Sequence, residues 1–318
     1  MLPAARPARE AVYLVDASVY IFRAWFSIPD FMTDGTGRPV NALYGYARFI
    51  GDLLERARPA RIAVAFDASL ARCHRNEIYP AYKANREPAP PELERQFALC
   101  RELTRALGIV ELADERYEAD DIIGTLLALE RAAGRCGVIV SRDKDLAQLL
   151  ADGDEYWDYA RDRRYGHADI AGVFGVCAAQ IADFLALAGD SVDNIPGVPG
   201  VGRKTAAVLL ARFGSLDVLY ANLAEVAALP LRGAAGVARR LERHREAAML
   251  ARRLTGIVCD APLAFERAGL TRGAPDLDSL ERLYDGAAFG SALRFQARRI
   301  AETYCGFDAL PYPVVPAR

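Results

Sequence analysis

The sequence predicts an α/β domain over residues 11–175, with a central, mainly parallel sheet flanked by helices, followed by a helical lobe over 176–300. Three observations carry this. Four short apolar runs, rich in β-branched residues, stand at 12–15 (VYLV), 62–66 (IAVAF), 109–112 (IVEL) and 137–140 (GVIV). Strands buried on both faces read this way. Stretches of helical period separate them at 43–56, 92–107 and 119–133, and strand alternating with helix builds a parallel sheet covered on both sides. From 177 onward helical periodicity dominates, broken by the cluster IPGVPGVG at 195–202 and by turn signals at 229–230 and 233–236. Residues 1–10 and 301–318 read as tails, the second proline-rich from Pro311. No repeat of 20–50 residues is visible.

Composition excludes several classes. The chain has 318 residues, 52% hydrophobic and 26% charged, which suits a globular protein rather than a disordered or fibrous one. No apolar run approaches the roughly 18 residues of a membrane span. The opening MLPAARPARE has no apolar core for a secretory signal. A cytoplasmic protein without a membrane partner is expected. The six cysteines are scattered without a C-x-x-C pair, and the three histidines do not cluster. That argues against a disulfide frame or a zinc site.

Charge is nearly balanced, 40 basic against 42 acidic residues, which by itself speaks weakly against a nucleic-acid partner. Only three of the basic residues are lysine: Lys83, Lys144 and Lys204. In so arginine-rich a chain, those lysines are either accidents or places where an ammonium is needed.

The acids are placed unevenly. Asp16 ends the first strand, Asp67 ends the second, and Asp143 and Asp145 follow the fourth. Ligands of open parallel sheets bind beyond the carboxyl ends of the strands. Glu118, Asp120 and Asp121 open a helix, with Glu118 and Asp121 spaced to share a face. Asp190 and Asp193 form a further pair in GDSVDN. Singly, each reads as a helix cap or a solvated group. Together, nine carboxylates without histidine or cysteine describe an oxygen-ligated site for Mg²⁺ or Mn²⁺. Setting those nine charges aside turns the net of −2 into +7 for the rest of the chain, an acidic pocket in a basic framework. Two divalent ions there could drive an in-line phosphodiester displacement.

Residues 71–91 mix Arg72, Arg75, Lys83 and Arg86 with Tyr79 and Tyr82. This is either a solvated loop or a surface for phosphates and stacked bases. Lys83 and Arg86 would face the same way if the segment were helical, with Tyr82 beside them as a stacking platform. Prolines at 80, 88, 90 and 91 limit how far a helix can extend.

LVDAS, AFDAS, YPAYKANR, YEADDIIGTL, SRDKDLAQLL and GDSVDNIPGVPGVGRKTA resemble, in order, the motifs of the bacterial 5′-nucleases. That family includes the N-terminal 5′→3′ exonuclease domain of bacterial DNA polymerase I, the phage 5′-nucleases and the flap endonucleases. The resemblance runs from about Val12 to Val258 and implies a PIN-like nuclease core. It implies that Asp16, Asp67, Glu118, Asp120, Asp121, Asp143, Asp145, Asp190 and Asp193 bind two or more metal ions. It further implies catalytic roles for Lys83, Arg86 and Arg23. Arg75 and Tyr82 would bind DNA in a helical arch over about 71–91, expected to order around the 5′ strand. Gly197, Gly200, Gly202, Lys204 and Thr205 would bind DNA through a helix–hairpin–helix over about 195–213, with K⁺ as a further ion. Glycine suits that role because backbone can then approach phosphate closely.

Two positions depart from the family pattern, Ala17 and Arg142 standing where glycine is usual. The length leaves no room for a polymerase, which implies a stand-alone 5′-nuclease or a shortened piece. The expected function is a monomeric 5′→3′ exonuclease and 5′-flap endonuclease acting on DNA. A structure-specific DNA-binding protein without catalysis and a nuclease acting chiefly on RNA are the alternatives.

Overall fold

Six strands form the sheet: β1 (Ala11–Asp16), β2 (Arg61–Asp67), β3 (Val110–Asp114), β4 (Cys136–Val140), β5 (Glu155–Asp158) and β6 (Arg163–Gly166). The computed structural model describes residues 10–68, 73–265 and 267–305. The strand order is β3-β2-β1-β4-β5-β6, with only β6 antiparallel. The chain runs outward from β1 through β2 to β3, then crosses back to start β4 on the other side of β1. This reversal opens a crevice at the carboxyl ends of β1 and β4, the usual ligand position in open sheets.

The four expected strands form within one or two residues of their predicted bounds. β5 and β6 were not anticipated. β5 (EYWD) is only four residues long, and β6 (RRYG) is a polar edge strand whose Arg163 and Arg164 face solvent. Neither shows the apolar run that marks a central strand.

Helices α1 (Ala17–Ser27), α2 (Asn41–Ala57), α3 (His74–Ile78), α4 (Pro91–Ala106) and α5 (Ala119–Ala132) complete this half. The two faces of β1 feed two cores. Tyr13 and Val15 pack with α1, α2 and α4, whereas Val12 and Leu14 pack with α5, as the two-residue strand period requires. α1 escaped the sequence reading because ASVYIFRAWFS is rich in aromatic and β-branched residues of modest helix propensity. Burial of Ala17, Tyr20, Ile21 and Ala24 holds it.

Helices α6 (Ile170–Phe174), α7 (Ile181–Ala188), α8 (Arg203–Phe213), α9 (Leu216–Ala221), α10 (Leu223–Val226), α11 (Ala234–Arg243) and α12 (Arg245–Thr255) follow. Phe184, Leu209, Leu241 and Leu254 continue the α5-side core without a break. Then α13 (Leu277–Gly286) and α14 (Ser291–Cys305) return to the opposite face. There Leu280, Tyr284, Phe289, Leu293 and Ile300 join the core of α2 and α4. The returning chain is pinned by backbone bonds from Arg272 to Ala60 (2.9 Å), Gly273 to Gly108 (2.7 Å) and Asp276 to Ala106 (2.8 Å). α14 extends to 305, into the stretch read as a tail, and residues 1–9 and 306–318 lie outside the described residues. No single helix among the described residues is long and apolar enough to cross a membrane.

Candidate active site

Asp16 and Asp67 sit at the carboxyl ends of adjacent parallel strands, and Asp143 and Asp145 follow β4 on the other side of β1. Glu118 and Asp120 enter from the start of α5, Asp190 and Asp193 from the loop after α7. Hydroxyls orient the two strand-end acids. Ser141 Oγ donates to Asp16 Oδ2 at 2.8 Å, and Ser18 Oγ donates to Asp67 Oδ2 at 2.6 Å. The Ala119 amide adds a bond to Asp67 Oδ1 at 2.9 Å. The sequence reading missed both serines, although each lies within two residues of a candidate acid.

These carboxyls behave as one array. Burial, then the charge of Asp67, pushes Asp16 up to about 7. Burial and Asp143 do the same to Asp145, also to about 7. Asp120 is raised by burial, then by Asp143 and Asp16. Asp143 is raised by burial and by Asp193. Asp145 Oδ1 is buried without a hydrogen bond among the described residues. Lys144 Nζ stands 3.7 Å from it and 3.9 Å from Asp190 Oδ2, a lysine absent from the expected site.

Basic groups cap the pocket. Lys83 Nζ donates to Glu118 Oε1, and Arg86 Nη2 donates to Asp193 Oδ1 at 2.6 Å. Burial works against ionisation of Glu118, yet Lys83 and Arg75 outweigh it and hold the carboxyl at about 2. The expected arch is mostly turns, with one five-residue helix, α3. It lies on the 190–194 loop. The Lys83 amide donates to Asp193 O at 3.0 Å, Asn194 Nδ2 to Ala81 O at 2.7 Å, and Asn85 Nδ2 to Ser191 O at 2.9 Å. Lys83 is left-handed (φ 54°), so it and Arg86 share a turn rather than a helical face. Arg72 lies outside the described residues.

Three expectations need correction. Asp121 is not directed at the other acids. Its Oδ1 accepts from Arg75 Nη2 (2.8 Å) and the Val258 amide (2.9 Å), and its Oδ2 from Arg75 Nη1 (2.7 Å) and the Glu118 amide (3.2 Å). Sequence spacing placed it beside Glu118, but both its oxygens are spent within the fold. Arg75 is correspondingly closed to DNA: only 3% of its side chain is exposed, with further bonds to the carbonyls of Leu254 and Gly256 at 2.9 Å. Tyr82 offers no stacking face. It is buried, its hydroxyl 3.0 Å from Glu118 and 3.2 Å from Asp193.

Arg23 is exposed on α1, where it lines a shallow cavity of about 650 Å³ with Tyr20, Arg48 and Tyr159. Arg142 is exposed and turns toward Asp158, 3.8 Å away.

The glycine cluster links α7 to α8. Gly197 packs so tightly on the preceding turn that a Cβ would lie 2.3 Å from the Gly189 nitrogen and 2.5 Å from the Ala188 carbonyl carbon. Buried Val198 and Val201 anchor the hairpin. Gly200 is left-handed (φ 75°), and Gly202, the residue before α8, has nothing within 4 Å of a Cβ position. Lys204 is exposed and Thr205 half-buried on the first turn of α8.

Among the described residues, no group of three or more Asp, Glu, His or Cys side chains is already arranged to hold an ion. Lys83, Arg86 and the two serines engage Glu118, Asp193, Asp67 and Asp16 instead. The donor chemistry nonetheless fits a hard divalent cation: oxygen donors only, mutually repelling, with one buried oxygen unbonded.

Residues 11–175 match the family model of the 5′-3′ exonuclease N-terminal resolvase-like domain, and 176–278 that of the 5′-3′ exonuclease C-terminal SAM fold. The chain is 42% identical over 275 residues to DNA polymerase I of Pseudomonas aeruginosa, which covers 85% of this chain and 30% of that protein. Against DNA polymerase I of Bacillus caldotenax the identity is 35% over 298 residues, 90% of this chain and 32% of that protein. The chain thus spans about a third of the length of these relatives. Among solved structures, T5 5′-exonuclease with bound zinc superposes with TM-score 0.63 at 21% identity, covering 92% of this chain and 98% of that one. The catalytic core of Rad2 in complex with DNA substrate gives 0.60 at 17%, covering 94% and 95%.

Proposed function

This chain belongs to the 5′-3′ exonuclease family, and from that premise we propose that it is a metal-dependent nuclease hydrolysing DNA phosphodiester bonds from 5′ ends and at 5′ flaps. One observation carries the reading: eight carboxylates from separate segments meet at the carboxyl edge of the sheet, with Lys83 and Arg86 lying directly on two of them. Asp16, Asp67, Glu118, Asp120, Asp143, Asp145, Asp190 and Asp193 are the residues that would hold two or more Mg²⁺ or Mn²⁺ ions. When bound, such ions supply Lewis-acid activation of water and charge neutralisation at the leaving oxygen. The T5 structure with bound zinc and the Rad2 complex with DNA support carrying metal and DNA over to this chain.

The chain's own residues do the rest. Ser18 and Ser141 fix the carboxyl orientation of Asp67 and Asp16. Lys83 and Arg86 exchange their carboxylate partners for the phosphate of the 5′ strand, fixing the reacting group in place, and Arg23 guides the strand from its exposed position on α1. Gly197, Gly200, Gly202, Lys204 and Thr205 grip the duplex backbone, and this hairpin is the segment that would hold K⁺. Scattered cysteines without a C-x-x-C pair suit a reducing, cytoplasmic setting, and the protein works as a monomer.

The test is cleavage of a labelled 5′-flap duplex beside a blunt duplex, a single strand and an RNA-flap duplex, with Mg²⁺ and with EDTA. Cleavage of the DNA flap only with metal is expected. Metal-independent cleavage, or none with any substrate, would refute the reading.

A further inference from the structure

We propose that Arg240 of α11 is a duplex-backbone contact, completing a phosphate site between α11 and the glycine hairpin. This rests on the reading of that hairpin as a duplex grip, and the experiment separates the two.

The Arg240 guanidinium lies against Gly200. A Cβ there would stand 3.0 Å from Nε and 3.3 Å from Cζ. A Cβ on Gly236, one turn earlier in α11, would stand 3.4 Å from Nη1. Missing side chains on two elements therefore make the slot in which the guanidinium rests. Its Nε is buried and has no hydrogen-bond partner among the described residues.

Neighbouring arginines are treated differently. Arg212 pairs with Glu225 at 2.8 Å, Arg245 with Glu242 at 3.1 Å, and Arg252 with Asp217 at 2.7 Å. Glu242 is the one acid of α11, and Arg245 takes it. Arg240 makes no ion pair among the described residues, and Arg239 and Arg243 on the same helix are exposed.

A half-buried cation without a counter-charge is costly unless an anion arrives. The anion this slot fits is a phosphodiester. Guanidinium presents two parallel donors to phosphate oxygens, and bare glycine backbone lets a strand approach. Lys204, exposed on the first turn of α8, would meet the same backbone as a point charge.

The experiment measures binding of a short blunt duplex by fluorescence anisotropy, in EDTA, between about 50 and 200 mM salt. Arg240→Gln should weaken binding roughly tenfold at the low end and reduce the log–log salt slope by about 0.9, one phosphate contact. Arg240→Lys should keep the slope and recover part of the affinity. A role confined to packing would leave the slope unchanged. If Lys204→Ala weakens binding while Arg240→Gln matches wild type in affinity and slope, the hairpin reading stands and this proposal falls. If wild type binds no duplex, the hairpin reading itself fails. Should Arg240→Gln unfold, phenylglyoxal labelling of wild type decides. Protection of Arg240 by duplex is expected, and equal labelling with and without duplex overturns the proposal.

Discussion

Arg75 holds Asp121 by both carboxylate oxygens, at 2.7 and 2.8 Å, with at most 3% of either side chain exposed. The same guanidinium reaches the carbonyls of Leu254 and Gly256. It therefore ties α3 and α5 to the end of α12. Removing one partner of a buried pair leaves an uncompensated charge, at a cost of about 3–5 kcal/mol. Asp121→Ala should accordingly show a much lower urea midpoint, with Asp121→Asn intermediate. An Asp121→Ala protein as stable as wild type would show that the pair is not structural.

Substitution in the acidic array should act in the opposite direction. Asp143→Asn and Asp145→Asn each remove a charge from a crowded, buried set. In EDTA these variants should melt higher than wild type, by about 1–2 °C for each kcal/mol of repulsion relieved, while flap cleavage with Mg²⁺ falls by several orders of magnitude. Calorimetry beside a single-turnover assay checks both. A variant that melts lower and still cuts at the wild-type rate would contradict the account.

Metal removal should split binding from chemistry. EDTA is expected to abolish cleavage while leaving duplex binding measurable, because the residues proposed to grip the duplex are not themselves among the carboxylates. That binding should weaken steeply with salt and show little sequence preference. Loss of all duplex binding with EDTA would place the grip at the metals instead.

Two glycines of the hairpin should separate by role. Gly197→Ala forces a Cβ to 2.3 Å from the Gly189 nitrogen, so the hairpin must shift and stability falls. Gly202→Ala meets nothing within 4 Å, at φ −88° and ψ 175°, which alanine readily adopts. That protein should keep its melting temperature and lose duplex affinity, since the methyl group stands where phosphate would approach. Equal effects of the two substitutions on stability would undo the distinction.

Lys83→Ala should slow cleavage roughly 10- to 1000-fold, as misplacing a reacting phosphate does, while duplex affinity changes by less than about fivefold. Single-turnover cleavage of a 5′ flap is the measure. A wild-type rate would return residues 79–86 to the status of a surface loop.

What the sequence disclosed and what it hid have physical reasons. Asp16, Asp67, Asp143 and Asp145 were legible because each follows a nearly pure apolar run, and such a run fixes where a buried strand ends. Arg75, Tyr82 and Asp121 were misread for the opposite reason. Their residue types fit a DNA surface, but Arg75 and Asp121 are enclosed by the end of α12 and the residues just after it, more than 130 positions away, and Tyr82 lies against Glu118 and Asp193. Periodicity carries no trace of those contacts. Lys144 was conspicuous only by rarity, and nothing local tells that its ammonium stands between Asp145 and Asp190. The pair β5 and β6 was invisible to a search for apolar strands, though Trp157 of β5 is among the most deeply buried side chains.

The return of α13 and α14 to the face of α2 and α4 changes what counts as a unit of folding. Leu280, Tyr284, Phe289, Leu293 and Ile300 cover the same core as Ile50 and Phe97, and Arg299 bonds Glu55 across 244 positions of sequence. A fragment ending at 175 would leave that apolar face bare and the backbone bonds at Ala60, Ala106 and Gly108 unmade. The boundary between sheet and helical lobe is thus a division of labour and not a seam in cooperativity. The carboxylates and the hairpin should melt together, in one transition.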